Sequence, residues 1–178
     1  MRYVVFLLLF LVTTASFTFE EEKLAWNEDI RLTWKDFKGV PNPGNGFVAS
    51  TNSGVSFSFS YSERNGVGTV DYTVVANFYP QLSWYLSEKV DDYILLHEQT
   101  HFDITELHAR KLREALAKLP QNRAFKEEAE VAYNAMEAAR REMQEAYDLQ
   151  TDHSNIKEAE YRWRSFVKEQ LDSYQAWK

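Results

Sequence analysis

The period of the apolar residues changes near residue 87, and this change divides the chain into a strand-rich part and a helical part. At residues 55–61 apolar residues alternate with serines, as expected for a strand with one buried face. A second alternating run covers residues 70–78. Residues 63–66 lie between the two runs and end in Asn-Gly, a pair that favours the positive φ angles of a hairpin turn. The pattern therefore predicts an antiparallel β-hairpin.

Two shorter alternating segments, at residues 24–26 and 30–34, precede the hairpin and predict neighbouring strands. Two prolines and two glycines at residues 40–46 predict a loop. The serine face of the first hairpin strand has two interpretations. It is either the solvated face of a structural sheet, or part of an edge that binds an extended peptide by strand addition.

Apolar residues recur with a period of about 3.6 from residue 87 onward, which predicts three long helices. The first extends to Pro120, the second covers residues 122–150 and the third covers residues 155–177. No linker long enough to divide the chain interrupts this order. Strands followed by helices predict a single α+β domain, with an antiparallel sheet or hairpin before three helices.

The first sixteen residues have the pattern of a secretory signal peptide. Arg2 supplies a positive charge, an apolar run follows, and small residues at 13–16 suit a cleavage site. The apolar run has about ten residues, whereas a membrane-spanning helix needs about 20; an uncleaved anchor is the alternative. We predict a signal peptide at residues 1–16 and one domain at residues 17–178. We expect a secreted or periplasmic bacterial protein without stable membrane insertion.

Charge and cysteine content restrict the classes of partner and the sources of stability. The net charge of −7 and the pI near 5.2 argue against nucleic acid or an anionic membrane surface as a partner. The chain has no cysteine, so it forms no disulfide. Stability must come from the core and from any bound metal.

Residues 97–101, His-Glu-Gln-Thr-His, lie in the first half of the first predicted helix and have the His-Glu-x-x-His pattern of zinc hydrolases. At about 100° per residue, His97 and His101 lie about 40° apart on one helix face, one turn from each other. Both imidazoles can therefore bind one zinc ion. Glu98 can contact a water molecule at that ion, and we predict it as the general base. The alternative is a helix with two half-exposed histidines on its polar face.

A catalytic zinc usually has three protein ligands and one water. Glu106 lies about 180° from His97 on a straight helix, and His108 lies roughly 10 Å beyond His101 along the axis, so neither completes the site. His153, in the connection between the second and third helices, can fold back over the motif, and we predict it as the third zinc ligand. The alternative is a glutamate of the second helix, such as Glu130 or Glu145.

Three segments, residues 32–39, 96–104 and 147–153, together with Trp163, resemble in order the DUF922 family of predicted bacterial secreted zinc-dependent proteases. The resemblance extends over nearly all of the predicted mature chain. It implies a zincin-like domain and a zinc-dependent peptidase activity. The family often has glycine after the late histidine, where this chain has Ser154.

The sequence thus predicts a zinc-dependent hydrolase, a metalloprotease with a peptide or protein substrate. Supporting roles are open: Asp103 or Asp148 can orient a ligand histidine, Tyr147 can stabilise an oxyanion, and His108 can support the site or pack within the helices. One alternative is a non-catalytic envelope module in which zinc holds the helices together. The other is a metal-free interaction protein that uses its aromatic sheet face.

Overall fold

Strands precede helices in a computed structural model of the chain, which describes residues 22–43 and 46–178. The strands in this part are β1 (Leu24–Ala25), β2 (Ala49–Ser50), β3 (Ser53–Arg64), β4 (Val67–Phe78) and β5 (Trp84–Tyr85). The long helices are α1 (Asp92–Ala117), α2 (Phe125–Thr151) and α3 (Lys157–Ser173). The predicted α+β class is confirmed. The signal peptide predicted at residues 1–16 lies outside the described residues, and no helix inside them has the length and apolar character to cross a membrane.

β3 and β4 form the predicted hairpin, and each strand is twelve residues long. The register pairs Phe59 with Tyr72, so the alternating apolar residues of both strands lie on one face of the sheet. At the turn, Asn65 and Gly66 have φ angles of 53° and 77°, a conformation that Asn-Gly adopts readily. β1 pairs with the other edge of β4, while β2 and β5 pair with each other in a separate two-stranded sheet.

The prediction of a strand at residues 30–34 is wrong. Ile30 makes one isolated bridge with Asn27, and a short 3₁₀ helix begins directly after Thr33. The carboxylate of Asp36 accepts hydrogen bonds from the backbone N–H and the hydroxyl of Thr33, at 2.7 and 2.9 Å. This local cap satisfies backbone groups without a strand partner, so here the alternation of apolar residues does not lead to a strand.

The three predicted helices are confirmed, with α1 starting at Asp92 rather than near residue 87. Asp91 sets this start because its side chain accepts a hydrogen bond of 2.9 Å from the backbone N–H of Ile94. α2 ends where Asp152 adopts the left-handed conformation, with φ 48°. A left-handed residue at this position is a common way to end a helix.

α1 lies between two halves of the hydrophobic core. One half joins α1 to the apolar face of the hairpin and includes Phe102, Leu112, Leu116, Val74 and Phe78. The other half joins α1 to α2 and α3 and consists of Ile104, Leu107, Tyr147, Val167 and Leu171. Packing on both sides makes α1 a rigid support for the side chains of its His-Glu-x-x-His motif.

Candidate metal centre

α1 brings the two histidines of the motif into contact. Their Nε2 atoms lie 3.2 Å apart, and the ring centroids are 4.8 Å apart at an interplanar angle of 84°. His97 is 4% exposed. One turn of helix thus aims two imidazole nitrogens at the same point, as the spacing predicts.

Asp148, near the end of α2, supplies a third possible ligand atom at this point. Its Oδ1 lies 2.9 Å from Nε2 of His101 and 3.2 Å from Nε2 of His97. His97, His101 and Asp148 therefore form a group whose ligand atoms lie within 4.8 Å of one another and which could hold a metal ion. The three atoms come from two helices and form a nearly equilateral triangle.

The far side of each ring is held by an acceptor. Nδ1 of His97 lies 3.0 Å from Oε2 of Glu160 in α3, and a carboxylate can only accept, so Nδ1 donates. Nδ1 of His101 donates to the side-chain oxygen of Gln144. The amide orientation of Gln144 follows from its NH₂ group, which donates to the backbone carbonyl of His101 at 2.8 Å. Both rings are thereby oriented with Nε2 toward Asp148.

The triangle of Nε2, Nε2 and Oδ1 fits a small cation. Two imidazole lone pairs and a carboxylate oxygen meet there, and such an arrangement requires a positive charge among them. A tetrahedral zinc with ligand distances of about 2.0–2.1 Å separates its ligand atoms by about 3.3–3.4 Å. The observed separations of 2.9–3.2 Å are only a few tenths of an ångström shorter. Small side-chain movements would therefore suffice for coordination.

The protonation equilibria of the group also favour positive charge. Burial disfavours the charged form of His97, but hydrogen bonds to Asp148 and Glu160 outweigh burial and raise its pKa to about 9. Burial likewise opposes ionisation of Asp148, yet its hydrogen bonds to His101 and His97 hold its pKa well below the usual range. Without a metal, a proton is held where the cation would bind.

Glu98 borders the same cavity as the triangle. Glu98 is 4% exposed, and its Oε2 has no hydrogen-bond partner among the residues that the structure describes. Its backbone carbonyl accepts a hydrogen bond of 3.2 Å from the hydroxyl of Thr51, next to β2. A buried carboxylate oxygen without a protein partner is costly and points to a ligand or water as its partner.

The cavity has a volume of about 580 Å³, within the range of small-molecule and peptide-side-chain sites. One wall is the segment 46–51, which includes β2, and another is the turn between α2 and α3. The floor is the motif face of α1 with Asp148. The site therefore opens on one side instead of being enclosed by protein ligands.

His153 lies on the cavity wall beside Asp148. Its Nδ1 is 3.6 Å from Oδ1 of Asp148, its side chain is 45% exposed, and its ring packs edge-on against Phe47 at 4.6 Å. Residues 152–154 all have left-handed φ angles, including 73° at Ser154, a conformation that favours glycine. The structure thus brings His153 to the cavity beside Asp148 but outside the group formed by His97, His101 and Asp148, and its role as a ligand stays a prediction.

The structure places the other candidates outside the triangle. Glu130 and Glu145 are exposed, while Glu106 is buried and pairs with Arg110 and Arg113 on the far side of α1.

The residues considered for supporting roles have other contacts. Asp103 accepts hydrogen bonds from Trp26, Gln99 and Arg31. His108 donates from Nδ1 to the carbonyl of Ile104 at 2.9 Å. Tyr147 stacks on His97 with ring centroids 4.6 Å apart, and its hydroxyl donates to Glu160.

Sequence reasoning missed Glu160 and Gln144. Glu160 is fully buried, yet it stands on the face of α3 that includes the apolar residues 163, 167 and 171. A carboxylate on such a face is the signal that could have singled it out, because buried carboxylates almost always have a partner. Gln144 offers no comparable signal, since polar residues on a long amphipathic helix are ordinary.

The fold and this group define an α+β protein with a possible metal centre formed by α1 and α2. Residues 29–154 match the family model described as a bacterial protein of unknown function (DUF922). The match covers more than half of the chain, so the protein belongs to this family, as its motifs indicate. No curated protein and no solved structure matches the chain.

Proposed function

We propose that the protein is a zinc-dependent hydrolase with a zincin-like site that cleaves peptide bonds. His97, His101 and Asp148 would hold the ion, and Glu98 would act as the general base. The observation that carries the proposal is the buried, unpartnered Oε2 of Glu98, a residue that lines the same cavity as the three ligand side chains. A purely structural metal site has no use for a buried free carboxylate there.

Each residue has one task in this scheme. Zinc would supply Lewis acidity, which lowers the pKa of water and polarises a carbonyl group. Glu98 accepts a proton from water in the cavity and then delivers it to the leaving amine. Glu160 and Gln144 keep Nε2 of the two histidines directed at Asp148. The cavity, of which residues 46–51 form one wall, would admit the peptide or protein substrate.

Location and partners belong to the same proposal. The signal-peptide pattern of residues 1–16 supports a secreted or periplasmic enzyme, and the acidic chain argues against nucleic acid as a ligand. A secreted peptidase without cysteine would depend on its core and its metal for stability.

A second candidate is a non-catalytic metal site that holds the helices together. It is favoured by His153, whose Nδ1 lies 3.6 Å from Oδ1 of Asp148 and could provide a fourth ligand. A tetrahedral site with four protein ligands has no position for water and is structural. The two candidates differ in whether His153 is required for metal binding and whether peptides are cleaved.

The test combines zinc content with turnover of a fluorogenic peptide library. The purified protein and its Glu98→Gln variant should each contain one zinc per chain. Cleavage should fall by about 10²–10⁴-fold in Glu98→Gln, and Glu88→Gln, at an exposed glutamate outside α1, should leave it unchanged. Equal cleavage by Glu98→Gln would reject Glu98 as the base. Zinc binding without any cleavage, lost in His153→Ala, would favour the structural site.

A further inference from the structure

Glu160 is a carboxylate with no exposed surface, in the first turn of α3 and on its buried face. Burying a charge is expensive unless it is paired and hydrogen-bonded. Glu160 lies 63 positions after His97, and no part of α3 supplies an atom to the metal triangle. Its position therefore needs an explanation beyond helix packing.

Both oxygens of Glu160 are occupied. Oε2 accepts from Nδ1 of His97 at 3.0 Å. Oε1 accepts from the Tyr147 hydroxyl and from Nε of Arg164 at 3.0 Å. Arg164 is itself fixed to α1, because it donates to the carbonyl of Tyr93 at 3.0 Å and lies 5.0 Å from the ring of Tyr93. The carboxylate is thus held in one orientation by groups from α2 and α3.

The two ligand histidines have different supports. His97 is backed by a charged carboxylate, whereas His101 is backed by the neutral amide of Gln144. A carboxylate behind an imidazole fixes the Nδ1–H tautomer and makes Nε2 a stronger electron donor than a neutral acceptor does. The stacking of Tyr147 on His97, at an interplanar angle of 23°, also restricts rotation of this ring.

We infer that Glu160 is a positioning residue that makes His97 the stronger of the two histidine ligands, and that Tyr147 and Arg164 serve this role by holding Glu160. The inference rests on the proposed metal site. It assigns a functional role to α3, which contributes no ligand, and it predicts that metal affinity depends more on Glu160 than on Gln144.

The experiment measures zinc affinity by competition with a chromophoric chelator, together with the melting temperature of each metal-free protein. Glu160→Gln should weaken zinc binding by about 10–100-fold, the usual cost of losing a group behind a ligand. Gln144→Ala should weaken it less. Tyr147→Phe, which leaves the carboxylate but removes one of its donors, should give a smaller loss than Glu160→Gln.

The ¹⁵N NMR shifts of the His97 ring provide a readout that helix packing alone would not change. The wild type should show a protonated Nδ1 and a metal-bound Nε2, and Glu160→Gln should show a weakened Nδ1–H hydrogen bond. If Glu160→Gln does not fold, Glu160→Gln/Arg164→Gln removes the buried pair together, which proteins tolerate better than one unpaired charge.

The outcomes separate the two proposals. A wild type that binds no zinc would overturn the proposed function. A wild type that binds zinc, with Glu160→Gln equal to it in affinity and lower only in melting temperature, would overturn the positioning role alone. A loss of zinc affinity in Gln144→Ala equal to or larger than that in Glu160→Gln would also overturn the positioning role.

Discussion

Oδ1 of Asp148 lies 2.9 Å from Nε2 of His101, although the two residues are 47 positions apart and belong to different helices. The contact leaves Nε2 of His97 at 3.2 Å from the same oxygen. Because a carboxylate near the end of α2 reaches both motif histidines, the structure offers a possible third ligand that lies five residues before the histidine predicted from the sequence. The two assignments can be separated by mutation.

Asp148→Asn should reduce zinc affinity by more than about 100-fold, beyond the cost typical of a group that only supports a ligand. The amide keeps the size of the side chain but loses the negative charge. His153→Ala should reduce affinity by less than about tenfold, because its side chain is nearly half exposed and does not belong to the group of three ligand atoms. Chelator competition measures both. The reverse order would make His153 the third ligand.

The stability of the protein should fall between pH 6.5 and pH 4 through His108. Burial, and to a lesser degree Lys111 and Arg140, lowers the pKa of His108 to about 4 from its ordinary 6.5. In this pH range the unfolded chain therefore binds a proton at His108 that the folded protein excludes. The contribution of neutral His108 to the free energy of unfolding is thus complete above pH 6.5 and is lost as the pH falls toward 4. At 1.36 kcal/mol per pH unit, the loss is about 3 kcal/mol.

Urea denaturation at pH 7, 5.5 and 4 tests this dependence. His108→Asn keeps a donor near the carbonyl of Ile104 but cannot titrate, so its stability should fall less steeply than that of the wild type. Leu149→Ala, at an exposed position without a titratable group, serves as the control and should follow the wild type. Parallel curves for wild type and His108→Asn would contradict the expectation.

Leu107→Ala should destabilise the protein by about 2–5 kcal/mol, because the side chain is fully buried and its loss leaves a cavity. Leu107 joins α1 to α2 and α3 within the second half of the core. Leu149→Ala, at a leucine that is 80% exposed, should change the free energy of unfolding by less than about 0.5 kcal/mol. Equal effects of the two variants in urea titrations would show that this half of the core carries little stability.

Gly66→Ala should lower the free energy of unfolding by about 1 kcal/mol through backbone conformation alone. Gly66 has a φ angle of 77°, and a Cβ atom there would meet nothing within 4 Å. The comparison variant is Asn65→Gly. Asn65 has a φ angle of 53°, which glycine adopts without strain, so this variant should change the free energy of unfolding little. Thermal unfolding of both variants measures the difference, and an unchanged melting temperature for Gly66→Ala would mean that the turn relaxes to another conformation.

The elements that could be predicted from the sequence are those determined by residues close together in the chain. The hairpin followed from the alternation at residues 55–61 and 70–78, and α1 with its two histidines followed from helical spacing. At residues 30–34 the alternation was real, but the cap formed by Thr33 and Asp36 was stronger. The observed start of α1 differs from the predicted one because a single side chain, that of Asp91, caps its first turn.

The remainder of the site could not be predicted because it depends on how α2 and α3 pack against α1. The sequence suggested Asp148 as a residue that orients a ligand, and only the packing of α2 brings its oxygen between two imidazoles. Glu160 contacts His97 across 63 positions of sequence, a separation for which helical periodicity holds no information. Candidate ligands close in sequence are therefore predictable, and the distant residues that contact them are not.

The contact between His101 and Asp148 has a consequence for folding. A cation bound by both would close a loop of 47 residues in a chain without cysteine. Closing a loop of that length restricts the unfolded chain by an entropy equivalent to about 4 kcal/mol in the relation used for disulfides. The metal would then act as a reversible cross-link, and the lifetime of the folded protein would depend on the supply of free zinc around it.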